Sequence, residues 1–88
     1  MKVIFLKSFF KDLERISDRK DKDAILKMIH SCEEVNSLSE INAVKKLSGF
    51  NNAYRIRVRN FRVGIFLEGN EIVLARVAHR KDVYKIFP

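Results

Sequence analysis

Arg55, Arg57 and Arg59 stand at alternate positions of one run rich in β-branched and aromatic residues. Arg62 opens the next such run, and His79, Arg80 and Tyr84 close the last. Alternate residues of a strand point the same way, so these arginines are expected to share a face. A guanidinium offers two parallel donors and suits phosphate better than an ammonium does. Four of them beside a histidine, the side chain best suited to moving protons near neutral pH, form a set able to cut RNA without a metal. That cut needs a base for the 2′-OH proton, an acid for the departing 5′-oxygen, and cations for the charge growing on the phosphate. A well-placed donor supplies about 10²–10³-fold of the rate, and proton transfer by His79 or Tyr84 about 10²–10⁴-fold. The plainer alternative is a solvated sheet face on which arginine stems cover apolar surface.

The elements that must position this set read as β-α-α-β-β-β. A strand is predicted over residues 3–7, and Ser8 is the expected cap of a first helix carrying Phe9, Phe10, Leu13 and Ile16. A second helix follows the polar stretch 17–21, with Ile25, Met28, Ile29, Cys32 and Val35 as one buried stripe. Its His30 is an ordinary surface residue. Leu38, Ile41, Val44 and Leu47 mark an irregular or short-strand connector, and strands follow at 53–59, 62–68 and 71–79. Gly69-Asn70 is a favoured hairpin turn, and Asn60-Phe61 is the expected link before it. The tail, 80–88, has room for a half-turn of helix. The expected fold is α+β: a helical hairpin on one face of a mostly antiparallel four-stranded sheet.

With those turns, Tyr54, Ile56, Val58, Val63, Ile65, Leu67, Ile72, Leu74, Arg76 and Ala78 face the helices. Arg55, Arg57, Arg59, Arg62, Gly64, Phe66, Val73, Ala75, Val77 and His79 face away. Gly64 and Ala75 leave room for something to approach. Like charges placed this way destabilise a sheet unless an anion binds there.

Composition narrows the partner. Residues 1–44 hold eight Lys/Arg and eight Asp/Glu, whereas 45–88 hold ten and three, so the whole net charge of +7 sits in the second half. A polyanionic partner, nucleic acid or an acidic protein, is favoured over a neutral metabolite. The 88 residues allow one domain, 1–88, with a modest core. A single cysteine, Cys32, excludes an internal disulfide and a thiolate zinc site and suits a reducing cytosol. Neither a metal nor another cofactor is expected. The opening apolar run is too short for a membrane span.

Val44-Lys45-Lys46-Leu47-Ser48-Gly49, Tyr54-Arg55-Ile56-Arg57-Val58, Phe61-Arg62-Val63 and Ala78-His79-Arg80-Lys81-Asp82-Val83-Tyr84 occur here in that order. Together they closely resemble the RelE branch of the RelE/ParE toxin superfamily. The resemblance implies a cytoplasmic toxin of a type II toxin–antitoxin pair that cuts messenger RNA in the ribosomal A site. The cut uses the 2′-OH, needs no metal, and is restrained by a cognate antitoxin whose acidic segment either covers Arg55, Arg57, Arg62 and Arg80 or displaces the tail carrying Tyr84. By the same resemblance Arg55 and Arg57 hold and activate the RNA, and Arg62 stabilises the transition-state phosphate. Arg80 adds a phosphate contact, and Tyr84 stacks on or orients the RNA. His79 stands where some members have histidine and others lysine. Arg59, Lys45, Lys46 and Lys81 are expected to add RNA contacts. Several members carry lysine where Arg55 and Arg57 stand. Arginine is a poor general base, so that role shifts to His79 or to a carboxylate such as Glu40. Two rival functions follow: a ParE-like inhibitor of DNA gyrase, and a non-catalytic RNA-binding inhibitor of translation.

Overall fold

The computed structural model describes all 88 residues. Strand β1 (Lys2–Phe5) leads into helix α1 (Lys7–Glu14), and α2 (Arg19–Glu34) runs back beside it. A short 3₁₀ turn (Leu38–Glu40) precedes β2 (Val44–Lys46), β3 (Ala53–Val58), β4 (Phe61–Glu68) and β5 (Glu71–His79), and a second 3₁₀ turn (Val83–Lys85) carries the tail. The sheet order is β1-β5-β4-β3-β2, with β1 parallel to β5 and the other pairs antiparallel. The architecture is α+β as expected, with five strands instead of four. The extra strand, β2, is a three-residue edge piece within the connector, where a short strand is one of the two expected forms.

The two helix starts use different devices. Asp18 caps α2, its carboxylate accepting from the Lys20 amide at 2.8 Å. Ser8 does not cap α1; the helix begins after Leu6, and the Ser8 hydroxyl donates to the Ala75 carbonyl at 2.6 Å. Packing against β5 claims the side chain that local propensity would have spent on a cap.

The main core of 15 buried side chains lies between helices and sheet, with Phe9, Ile25, Ile56, Ile65, Ile72 and Leu74 wholly enclosed. A second core of five (Leu47, Ala53, Ala75, Val83 and Phe87) sits on the opposite sheet face under the tail. Cys32 belongs to the main core, where burial lifts its thiol from an ordinary 9.0 to about 11. Folding thus holds Cys32 protonated. Its contribution to stability is intact below pH 9 and is lost as pH rises toward about 11. At pH 8, iodoacetamide is expected to label Cys32 only as fast as the protein opens, and quickly in denaturant; equal rates in both would contradict this burial.

Candidate functional site

The β3–β4 link is Arg59-Asn60, one residue earlier than expected, because Val58 pairs with Phe61 and Arg57 with Arg62. The register moves by two residues, so side-chain parity is preserved and Arg55, Arg57 and Arg62 still share the face away from the helices. Arg59 does not join them. It takes the left-handed turn position, φ 57°, and its Nε donates to Asp21 of α2 at 2.8 Å.

A bulge reverses the end of β5. Ile65 pairs with Leu74 but Gly64 with Arg76, which leaves Ala75 as an extra residue. From Val77 onward the side chains change face. Val77, expected on the arginine face, pairs with Val63 and is buried in the main core, while Ala78 packs on the second core. His79 follows Val77 to the helix side. It pairs with Phe61, packs its ring edge-on to that phenyl, and its Nδ1 accepts from the Lys81 amide. The groove around His79 is lined instead by Asp18, Asp21, Asp82 and Arg15. Arg76 does face α1, as expected. Asp12 of that helix receives its Nε at 2.7 Å and its Nη2 at 3.0 Å, which raises the guanidinium pKa above its usual value.

What remains on the outer face is an open cradle of about 380 Å³, lined by Ala43, Val44, Lys45, Arg55, Arg57, Arg62 and Tyr84. The salt bridges of the chain engage Lys2, Arg59 and Arg76, and none neutralises Arg55, Arg57, Arg62 or Lys45. Arg57 and Arg62 stand directly opposite each other across β3 and β4. Arg62 is braced by its own backbone, Nη1 donating to the Arg59 and Phe61 carbonyls at 3.2 and 2.9 Å. The Arg55 Nε is buried with no hydrogen-bond partner. Its guanidinium lies under the Tyr84 ring, 4.3 Å from the centroid, although the tyrosine itself is 70% exposed. Unpaired cations, an orphan donor and an exposed aromatic in one concavity are the physical signature of an anion site that also offers a stacking platform.

The other sequence-predicted residues fall outside it. Lys46 pairs with Tyr54 and points into a separate groove on the helix side, one position out of phase with Lys45. Arg80 and Lys81 are exposed in the loop after β5, with the Arg80 amide tied to the Asn60 carbonyl at 2.8 Å. Glu40 is consumed by capping, accepting from the Asn36 and Ser37 amides. No group of three or more His, Cys, Asp or Glu side chains is placed to hold a metal. No helix is long and apolar enough to cross a membrane.

Residues 3–84 match the family model of the ParE toxin of type II toxin–antitoxin systems. Toxin RelE3 of Methanocaldococcus jannaschii is 44% identical over the full length of both chains. The chain belongs to the RelE/ParE toxin superfamily. Within it, this RelE-like toxin also superposes on a crystal structure of the RelB-RelE antitoxin–toxin complex from Methanococcus jannaschii. The TM-score is 0.80 at 41% identity, covering 97% of this chain and 99% of that one. The YoeB dimer of Staphylococcus aureus, at TM-score 0.72 and 21% identity over 91% of this chain and 97% of that one, shares the fold.

Proposed function

We propose that this RelE-like toxin is a ribosome-dependent endoribonuclease that cuts messenger RNA in the A site, acting in the cytoplasm without a metal or other cofactor. The observation that carries the reading is the gathering of Arg55, Arg57 and Arg62, none paired with a carboxylate, in one cradle beneath Tyr84. In this mechanism the RNA backbone bends into the cradle. The 2′-hydroxyl loses its proton as its oxygen attacks the adjacent phosphorus, and the P–O5′ bond breaks as the departing 5′-oxygen takes up a proton, leaving a 2′,3′-cyclic phosphate and a 5′-hydroxyl. Arg55 and Arg57 hold the phosphate, Lys45 adds long-range attraction, and Arg62 neutralises charge on the non-bridging oxygens as it grows. Arg80, exposed in the loop after β5, contacts a phosphate beyond the cradle. Tyr84 stacks on the nucleotide and is the proton-transferring group nearest the phosphate. His79, on the helix side of the sheet, acts through the loop that carries Arg80.

The cognate antitoxin restrains this toxin by covering the same surface with an acidic segment, which charge complementarity favours. The 41% identical relative seen as a RelB-RelE complex supports that partner. The matched family model is that of the ParE toxin, which supports a second reading, inhibition of DNA gyrase.

Primer extension on message in a translating extract decides between them. Cuts within codons, absent with Tyr84→Ala, are the expected result. Inhibited supercoiling with intact message transfers the assignment to the gyrase reading, and stalled ribosomes on intact message leave a non-catalytic binder. Four phosphate contacts, from Arg55, Arg57, Arg62 and Arg80, also predict a salt slope of about −3 for binding single-stranded RNA, about −0.7 per contact. Arg57→Ala should flatten that slope by about 0.7, and Arg59→Ala should leave it unchanged.

A further inference from the structure

Gly64 sits in the middle of β4, directly across from Arg55 of β3, and its backbone is ordinary strand with no left-handed φ. Glycine weakens a strand interior, so conformation gives no reason for it here. Space does. A Cβ at this position would run into the ring of Phe87, which packs on Phe66 with ring centroids 5.1 Å apart. Ala53, Ala75 and Ala78 flank the same depression, and Val83 and Phe87 fill it, at 0% and 3% exposed. Val83 and Phe87 are one helical turn apart, tied by the bond from the Phe87 amide to the Val83 carbonyl at 3.0 Å. Tyr84 lies between these two anchors and is turned outward onto Arg55.

We propose that Gly64 and Phe87 are positioning residues of the cradle: the glycine is the seat and the phenyl the key that lock the tail so that Tyr84 stands over Arg55. The inference rests on the nuclease reading for its effect on catalysis but not for its geometry. The second core has five side chains, two of them the tail's own Val83 and Phe87, against fifteen in the main core, so unseating Phe87 frees Tyr84 without unfolding the domain.

The test pairs a spectroscopic readout with a catalytic one. In the full chain, the Arg55 side-chain protons should be shifted upfield by the Tyr84 ring, and Tyr84→Leu should abolish that shift. Phe87→Ala and Gly64→Val should abolish it as well, and should lower cleavage on programmed ribosomes by about 10²-fold, the scale set by misplacing a reacting group by an ångström. Phe87→Leu, which still fills the seat, should retain most of both. Gly64→Val should destabilise the wild-type chain yet stabilise the Phe87→Ala chain, where valine meets an empty seat and improves strand propensity. A ring-current shift unchanged by Phe87→Ala, or a Gly64→Val cost independent of Phe87, overturns the proposal. A wild-type protein that leaves RNA intact while the shift still responds to both substitutions defeats the nuclease reading and upholds the positioning.

Discussion

Arg62→Ala is expected to lower cleavage of ribosome-bound message by about 10²–10³-fold, the loss typical of removing one preorganised donor from a developing oxyanion. The preorganisation is visible in the structure. Two backbone carbonyls pin Nη1, so the guanidinium is held in place before any substrate arrives. Arg62→Lys should recover only part of the rate, because an ammonium restores charge without the planar fork. Stability should move the other way. Arg62 faces Arg57 across the strand pair, and removing one of two opposed like charges relieves about 0.2–1 kcal/mol of repulsion. Chemical denaturation of Arg62→Ala should therefore show an unchanged or slightly raised midpoint alongside the lost activity. A variant that cuts message at the wild-type rate would remove Arg62 from the mechanism. One that loses activity by unfolding would make its role structural.

The arginine face was legible because alternation is a parity rule. The β3–β4 turn lies one residue earlier than its sequence suggested, yet Arg55, Arg57 and Arg62 stay together because a two-residue register change preserves which side each residue faces. Gly69-Asn70, a strong turn signal, fixed the β4–β5 pairing of Glu68 with Glu71. The same rule explains the failure at His79. One extra residue, Ala75, inverts parity from Val77 onward, and an alanine within a run of apolar residues carries no mark of a bulge. Arg59 was misplaced for a related reason: its left-handed turn position is unusual for a side-chain-bearing residue and is stabilised by Asp21, a long-range partner no local pattern reveals. The Gly64–Phe87 fit was half visible, as a glycine leaving room on the face. Its occupant comes from the chain's own tail, through a tertiary contact.

Asp12→Ala is expected to destabilise the fold by about 2–4 kcal/mol, between the cost of one unsatisfied buried group and that of a broken buried ion pair. Asp12 is only 8% exposed and accepts three hydrogen bonds, two from Arg76 and one from the Val77 amide at 3.1 Å. Its removal orphans a guanidinium that is 30% exposed and a buried N–H. For a domain of this size the thermal midpoint should fall by more than ~10 °C. Asp12→Asn keeps one acceptor oxygen and should lose less. Asp12→Ala with Arg76→Met should recover the part of the loss that comes from the unpaired guanidinium, leaving only the Val77 N–H without its partner. A midpoint within the noise of wild type for Asp12→Ala would show the pair to be incidental. The position of these bonds gives the pair a further consequence. Asp12 grips Arg76 and Val77 on one side of the bulge residue, and Ser8 of the same helix holds the Ala75 carbonyl itself. Helix α1 thus clamps the bulge that sends Val77 inward and seats Ala78 opposite Arg62. Loosening that clamp should let β5 slip toward the unbulged register, so cleavage in Asp12→Ala should fall at temperatures where the protein is still folded.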